Sequence, residues 1–463
     1  MKELDFLMIY EHKVRELENL CLLKYELENR GYSVKIMHIE DKEANMAVKP
    51  LYHAKVVILM ACYRNSTLEW HTKNFVKFDK VIDMQWENIV YPKDENNPAV
   101  FKNYTGIGKE VVRVSWGEEN RRRMLNIVHM DPKKVKLIGH VGMDFLRDEL
   151  KGYYLNKNQL FLEYGLDVNK KVILFASPFY ADNLSDDYIN DMCSRFGEDW
   201  RVYYSFMKKS EIEILHWMDK LCSSRNDVLV IYRPHPGHIG KKMNEVAQKH
   251  ANFKIISDKS IKQWIIVSDK IYTGNSSTFV EAFFAKKMCD FLFPYPVTPG
   301  FELGIIKNAK QIQTYQEFYH SIDEKEEQFS VPEKDIDYVY TVDWKVPSYV
   351  KFADMAEDVL ADPYYLLTKK QLSSYRAKQP LKIRIEKKIS RITIGYKLYL
   401  KILSDNRIHG SWIDGQRKIR QGVDEIAEKE SIEATSEKEI NEIIKRIRTT
   451  LTSENGAFLL SNK

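Results

Sequence analysis

Short apolar runs recur along this chain, each closed by polar or turn-forming residues and separated from the next by a stretch of helical spacing. That alternation constrains the fold more than any other feature. Leu4–Tyr10 (LDFLMIY) precedes a helical stretch that stops at Gly31, and Ser33–Ile39 and Ala54–Cys62 read as the next strands. KVIDMQWE and EVVRVSWG continue the series across a polar loop around Asp94–Asn97. GEENRRRMLNIVHM reads as a helix with acidic residues in its first turn, where the helix dipole favours them. A second series follows: KKVILFASPF, DVLVIYRPHPG, FKIIS, DKIYTGNSS and KKMCDFLFPYP. Strands alternating with helices build parallel sheets that are buried on both faces. The expectation is an α/β protein of two doubly wound domains, residues 1–150 and 165–343, facing one another across a cleft. Residues 344–463 read as a closing helix, VKFADMAEDVL, and a charged helical extension.

A chain of 463 residues exceeds what one ordinary core supports. Its net charge of +5 is too mild to imply nucleic acid, and no nucleic-acid-binding signature accompanies it. The five cysteines are scattered and never in CxxC spacing, which argues against zinc and disulfide frameworks and for a reducing compartment. The first apolar stretch is too short for a signal peptide, and no run approaches the ~20 residues of a membrane span. A cytoplasmic location is expected. One segment complicates it: KKQLSSYRAKQPLKIRIEKKISRITIGYKLYLKIL interleaves basic with aliphatic and tyrosine residues. It could lie on the anionic head groups of the inner membrane, or pack on the body as a solvated helical face. From Val423 onward the sequence again reads as charged helix.

Polar side chains with chemical potential gather where strands end or open. Ser177 follows VILFA, Arg233 and His235 follow VLVI, Ser260 opens the apolar SIKQWIIVSD, and Asn275 to Thr278 follow KIYTG. In YRPHPG the prolines forbid further pairing and an immediate helix, so His235 is held at the carboxyl end of a strand with Arg233 beside it. Ligands of open α/β sheets bind at that edge. TGNSSTFVEAFF runs from strand through small hydroxyl residues into a helix near Thr278, with Glu281 one turn in. Helix starts offer unpaired N–H groups to a phosphate. A histidine on the adjacent strand end could donate to the same phosphate. Ser276 to Thr278 also serve as plain helix caps, and His235 as a surface histidine on a capped turn.

In order, SWGEENRRRML, KVKLIGHVGMDFL, VILFASPF, YRPHPG and SIKQWIIVSDKIYTGNSSTFVEAFFAKK resemble bacterial surface-polysaccharide glycosyltransferases of the GT-B fold. The likeness runs from about Leu4 to Phe318. It is similar to the group with an HP motif and a paired Ser/Thr motif, which includes Kdo transferases and sialyltransferases that use CMP-sugars. CDP-glycerol glycerophosphotransferases of teichoic acid synthesis look similar at the same two places. The resemblance implies a nucleotide-sugar donor in the C-terminal domain, a glycan or lipid-linked acceptor in the N-terminal domain, and no bound metal or other cofactor. By the same resemblance His235, Ser276 and Ser277 contact the donor phosphate and Glu281 lies near the ribose; Ser177, Arg233 and Thr278 join them as donor-side candidates from their places at the strand ends. The family's acidic pair before glycine is missing; MQWENIVYP stands there, which makes Glu87 the candidate base, or else a solvent-facing carboxylate. Glu11, His12 and Arg15 are offered to the acceptor side, although an exposed helix face accounts for Arg15 equally, and Glu16 reads as exposed helix face. His140 and Asp144, in GHVGMDFL, are further acceptor-side candidates, although a helix cap accounts for Asp144 equally. The expected activity is glycosyl transfer from a CMP-type donor to a surface polysaccharide or glycolipid. A glycerophosphotransferase, a UDP-sugar 2-epimerase (disfavoured by NSST where a glycine pair is expected) and a non-catalytic capsule-assembly protein are the rivals.

Overall fold

The computed structural model describes residues 1–41, 50–72, 75–85, 88–95, 101, 104–181, 184–235, 240–325, 328–374 and 434–453. Two six-stranded sheets organise them. The first holds β1 (Lys2–Tyr10), β2 (Val34–His38), β3 (Tyr52–Leu59), β4 (Val76–Asp83), β5 (Val112–Ser115) and β6 (Val135–Leu137), in the order β2-β1-β3-β4-β5-β6. β1 pairs parallel to both β2 and β3, with Met8 opposite Ile36 and Ile58. Its residues from Phe6 to Ile9 are wholly buried, as a strand covered on both faces requires. The second sheet holds β7 (Lys171–Ala176), β8 (Val228–Arg233), β9 (Phe253–Ile255), β10 (Lys270–Thr273), β11 (Cys289–Leu292) and β12 (Gln311–Ile312), in the order β12-β11-β10-β7-β8-β9.

Both orders place a reversal of winding next to the first strand of the sheet. In the second sheet the chain moves outward through β7, β8 and β9, then returns to lay β10 on the free side of β7. This is the dinucleotide-fold order, and its crevice opens beyond the carboxyl ends of β7 and β10. In the first sheet the reversal lies between β1 and β3.

The chain divides into two compact units. One comprises residues 1–85, 103–113 and 356–441, the other residues 86–102, 114–355 and 442–463. In the first, Arg113 and Asp83 form a fully buried ion pair at 2.6 Å. The Asp83 carboxylate also accepts from the backbone N–H of Cys62 and Gln85, and Arg113 donates to the carbonyls of Cys62 and Gly108. The exits of β3 and β4 are thereby tied to the start of β5. Lys80, also buried, points its ammonium at the carbonyls of Val359, Leu360 and Asp362 at 2.7–3.0 Å, where a helix ends and the dipole favours a cation.

One sequence expectation changes, and another falls outside the described residues. The apolar run after Ser260 is a helix, Ile261–Val267, and the Ser260 hydroxyl caps it by accepting from Lys262 N at 3.3 Å. The basic stretch, read either as a membrane-facing segment or as a solvated helical face, lies outside the described residues beyond Ser374. Closer to prediction, VKFADMAEDVL falls within a helix, Ser348–Ala361, and the charged C-terminal segment contains the helix Glu437–Leu451. No helix among the described residues is long and apolar enough to cross a membrane.

Candidate functional site

The crevice of the second unit's sheet is assembled from three strand exits. β7 runs into Ser177 and Pro178, β10 into Gly274, Asn275 and Ser276, and β8 into Arg233, Pro234 and His235. The turn after β10 packs tightly on that after β7: a Cβ at Gly274 would meet Pro178 Cγ at 3.0 Å. Ser276 to Thr278 therefore stand at the winding reversal itself. β8 is not adjacent to β10, because β7 lies between them. At ~4.8 Å per strand the His235 and Ser276 exits are about 10 Å apart along the sheet edge, so the two motifs stand at alternate strand ends and not at neighbouring ones as expected.

The two serines have different surroundings. Ser276 Oγ accepts from Thr278 N at 3.3 Å and lies 3.1 Å from Thr278 Oγ1, closing the turn. Ser277 occupies the N-cap position of the helix Thr278–Phe284, yet its side chain makes no cap hydrogen bond. One turn into that helix, Glu281 lies 3.4 Å from Lys262 Nζ, both side chains largely buried. That pairing joins two helices nineteen residues apart in sequence and had no local signal. Asn275 is tied to Tyr203 and to the Phe301–Leu303 segment.

The other donor-side candidates are placed as follows. His235 is exposed, its ring 5.2 Å from that of Tyr180. Ser177 turns inward, its hydroxyl receiving Phe179 N at 3.2 Å and the Tyr232 hydroxyl at 3.1 Å. Tyr232 OH is also 3.1 Å from Glu211 Oε1, and burial holds its phenol well above the ordinary range. Arg233 donates to the carbonyls of Asp258 and Lys259, and burial lowers its pKa to about 10, against the opposing charges of Asp258 and Glu281. It braces the segment that follows β9.

Of the acceptor-side candidates, Asp144 is buried and receives Ser348 N at 3.0 Å and Tyr349 N at 2.7 Å. It thus caps the helix Ser348–Ala361. Burial pushes its pKa up to about 7, against the opposing charge of Arg147. The His140 ring packs 4.3 Å from Trp116, and its Nδ1 accepts from Gly142 N at 3.0 Å. Glu87 lies outside the described residues.

In the first unit, Glu11, His12 and Arg15 follow β1 at the winding reversal. Glu16 is not the exposed residue expected: its side chain is wholly buried. It accepts from the backbone N–H of Glu11 at 2.7 Å and of His12 at 3.1 Å, and from the Arg15 guanidinium at 2.7 Å. A carboxylate in the first turn of Lys13–Asn29 thereby satisfies donors that the helix leaves unpaired. Arg15 is engaged with Glu16, which makes it a brace for this loop. His71, which sequence did not single out, is buried with Nδ1 on the Thr67 carbonyl at 2.8 Å, and burial lowers its pKa. No cluster of potential metal ligands occurs among the described residues.

No protein-family model and no curated protein sequence matches the chain. Solved structures do. The wall teichoic acid polymerase TagF aligns with a TM-score of 0.50 at 13% identity, over 77% of this chain and 89% of that one. A TagF variant soaked with CDPG aligns with a TM-score of 0.50 at 12% identity, over 77% and 88%. A putative UDP-N-acetylglucosamine 2-epimerase from Listeria monocytogenes aligns with a TM-score of 0.43 at 13% identity, over 78% and 95%. The TagF alignments bear on the fold: the chain has the two Rossmann-like domains of the GT-B class.

Proposed function

We propose that the chain is a transferase of the GT-B class that binds a nucleotide-activated donor at the carboxyl edge of the second sheet and passes the activated group to a surface glycan or glycolipid. The observation that carries this reading is the position of Ser276–Thr278 at the β7/β10 winding reversal, with His235 one strand further on. Small hydroxyls leading into a helix suit a phosphate, and an imidazole can stabilise charge on a departing one. The spread between these groups favours a ligand that extends along the edge, such as a nucleoside diphosphate. Among cytidine-type donors that ranks a CDP-linked group, sugar or polyol phosphate, ahead of a CMP-linked sugar, and the TagF variant soaked with CDPG is in keeping with it. The acceptor hydroxyl must lose a proton, and a carboxylate at or near Glu87 is the proposed base. No metal is invoked for leaving-group stabilisation. Contact of the basic C-terminal segment with a membrane face belongs to the same proposal.

A thermal-shift panel of CMP, CDP, UDP and GDP tests it. A ligand that binds only the native protein stabilises it by about 2.7 kcal/mol at a hundredfold excess over Kd. CDP is expected to give the largest shift and to lose most of it in His235→Ala. A largest shift with CMP restores the CMP-sugar reading, one with UDP moves the donor to other hexoses, and no shift with any nucleotide favours a non-catalytic assembly role.

A further inference from the structure

We infer that Asn275 is the positioning residue of the donor site: it sets the phosphate-binding turn by anchoring it to the Tyr203 hydroxyl and to the Phe301–Leu303 backbone. The inference rests on the reading of that turn given above. The Asn275 amide makes three bonds: Nδ2 donates to the Phe301 carbonyl at 2.7 Å and to Tyr203 Oη at 3.2 Å, and Oδ1 accepts from Leu303 N at 3.0 Å. Reversing the amide would set its oxygen against a carbonyl and its NH2 against an N–H, so the network admits one orientation.

The anchors are themselves rigid. Tyr203 is buried in the long helix Asp199–Ser224 and stacks on Phe301 with ring centroids 4.3 Å apart. Its hydroxyl lies 3.4 Å from that of Tyr91. Lys93 Nζ sits over the rings of Phe301 and Trp200 at 4.8 and 5.3 Å and pairs with Asp199 at 3.0 Å. On its other flank the turn meets Pro178 across Gly274. Ser276 then closes the turn on Thr278. Asn275 thus connects a packed aromatic wall to hydroxyls that must hold fixed positions to bind phosphate, and it needs no contact with the ligand itself.

Calorimetric titration of the full chain with CDP and with cytidine, and with UDP and uridine in parallel, tests this. In the wild type the diphosphate is expected to bind more tightly than its nucleoside. Asn275→Ala should cut diphosphate affinity by about tenfold, the scale of a charge-assisted hydrogen bond, while nucleoside affinity stays within about twofold. Tyr203→Phe, which removes one anchor, should give a smaller loss of the same kind. Added to a Ser276→Ala/Ser277→Ala background, Asn275→Ala should cost nothing more. Should Asn275→Ala fail to fold, Tyr203→Phe, which keeps the stack on Phe301 and adds no charge near the phosphate, carries the test and should show the same split. Equal loss for diphosphate and nucleoside, or no loss of diphosphate affinity, overturns the role of Asn275 and leaves the phosphate site standing. A wild type that binds neither ligand, or both alike, overturns the phosphate site and this inference with it.

Discussion

Replacing Arg113 by methionine probes how the carboxyl edge of the first sheet is held. Arg113 and Asp83 are both fully buried. Methionine keeps most of the aliphatic volume and removes the guanidinium. The Asp83 carboxylate then retains two backbone donors, from Cys62 and Gln85 at 2.7 Å each, but no counter-charge. The carbonyls of Cys62 and Gly108 lose their donor, and the Tyr104 ring loses the cation 4.8 Å from its centroid. Breaking a buried pair from one side costs about 3–5 kcal/mol, chiefly because a buried charge is stranded. Arg113→Met should therefore destabilise the first unit by that amount in urea denaturation, followed by far-UV circular dichroism and resolved from the second unit's transition. If the stranded charge is the cause, adding Asp83→Asn, which removes the charge and whose one amide oxygen still accepts from one of the two N–H groups, should restore part of the loss. The single variant should also gain stability as pH falls, since a buried unpaired carboxylate binds its proton more readily in the folded state. A loss below about 1 kcal/mol, or no recovery with Asp83→Asn, would refute the argument.

Lys80→Met should cost the first unit about 2 kcal/mol in the same assay by leaving the carbonyls of Val359, Leu360 and Asp362 without their charged donor. Asp144 has a folded pKa of about 7 against an ordinary 3.8, so between those values the unfolded chain holds fewer protons and stability falls as pH rises. The wild type should consequently gain on Asp144→Asn as pH drops from about 8 to 5, by about 2.7 kcal/mol, two pKa units at 1.36 kcal/mol each; a difference independent of pH would contradict the assignment. Ser177→Ala should leave nucleotide affinity within about twofold while costing about 1 kcal/mol of stability, because its hydroxyl serves Phe179 N and Tyr232. A large loss of affinity would return Ser177 to the ligand.

The strands were legible because central parallel strands are buried on both faces and so read as unbroken apolar runs, as in VILFA and VLVI. The same rule misplaced Ile261–Val267: Trp264 and Ile265 are buried within a short helix that has no polar stripe to betray its period. The order of strands was not legible, since a local pattern records that β8 and β10 are strands and not that β7 comes between them. Glu16 was misjudged for a related reason. Its charge suggested solvent, but its partners are backbone N–H groups, which carry no mark in the sequence. The motif residues at strand ends were legible because prolines and small hydroxyls interrupt apolar runs where the backbone must turn. The partners that orient them, Lys262 for Glu281 and Tyr203 for Asn275, come from distant elements.

A crystal structure of the full chain soaked with CDP measures the central claim most directly. The diphosphate should lie beyond the ends of β7 and β10, with oxygens within hydrogen-bond distance of the Ser276 or Ser277 hydroxyls and the N–H groups that open the helix Thr278–Phe284, and with His235 at its far end. A nucleotide seated against the first sheet, or one in the second unit whose phosphates point away from Ser276–Thr278, would contradict the account.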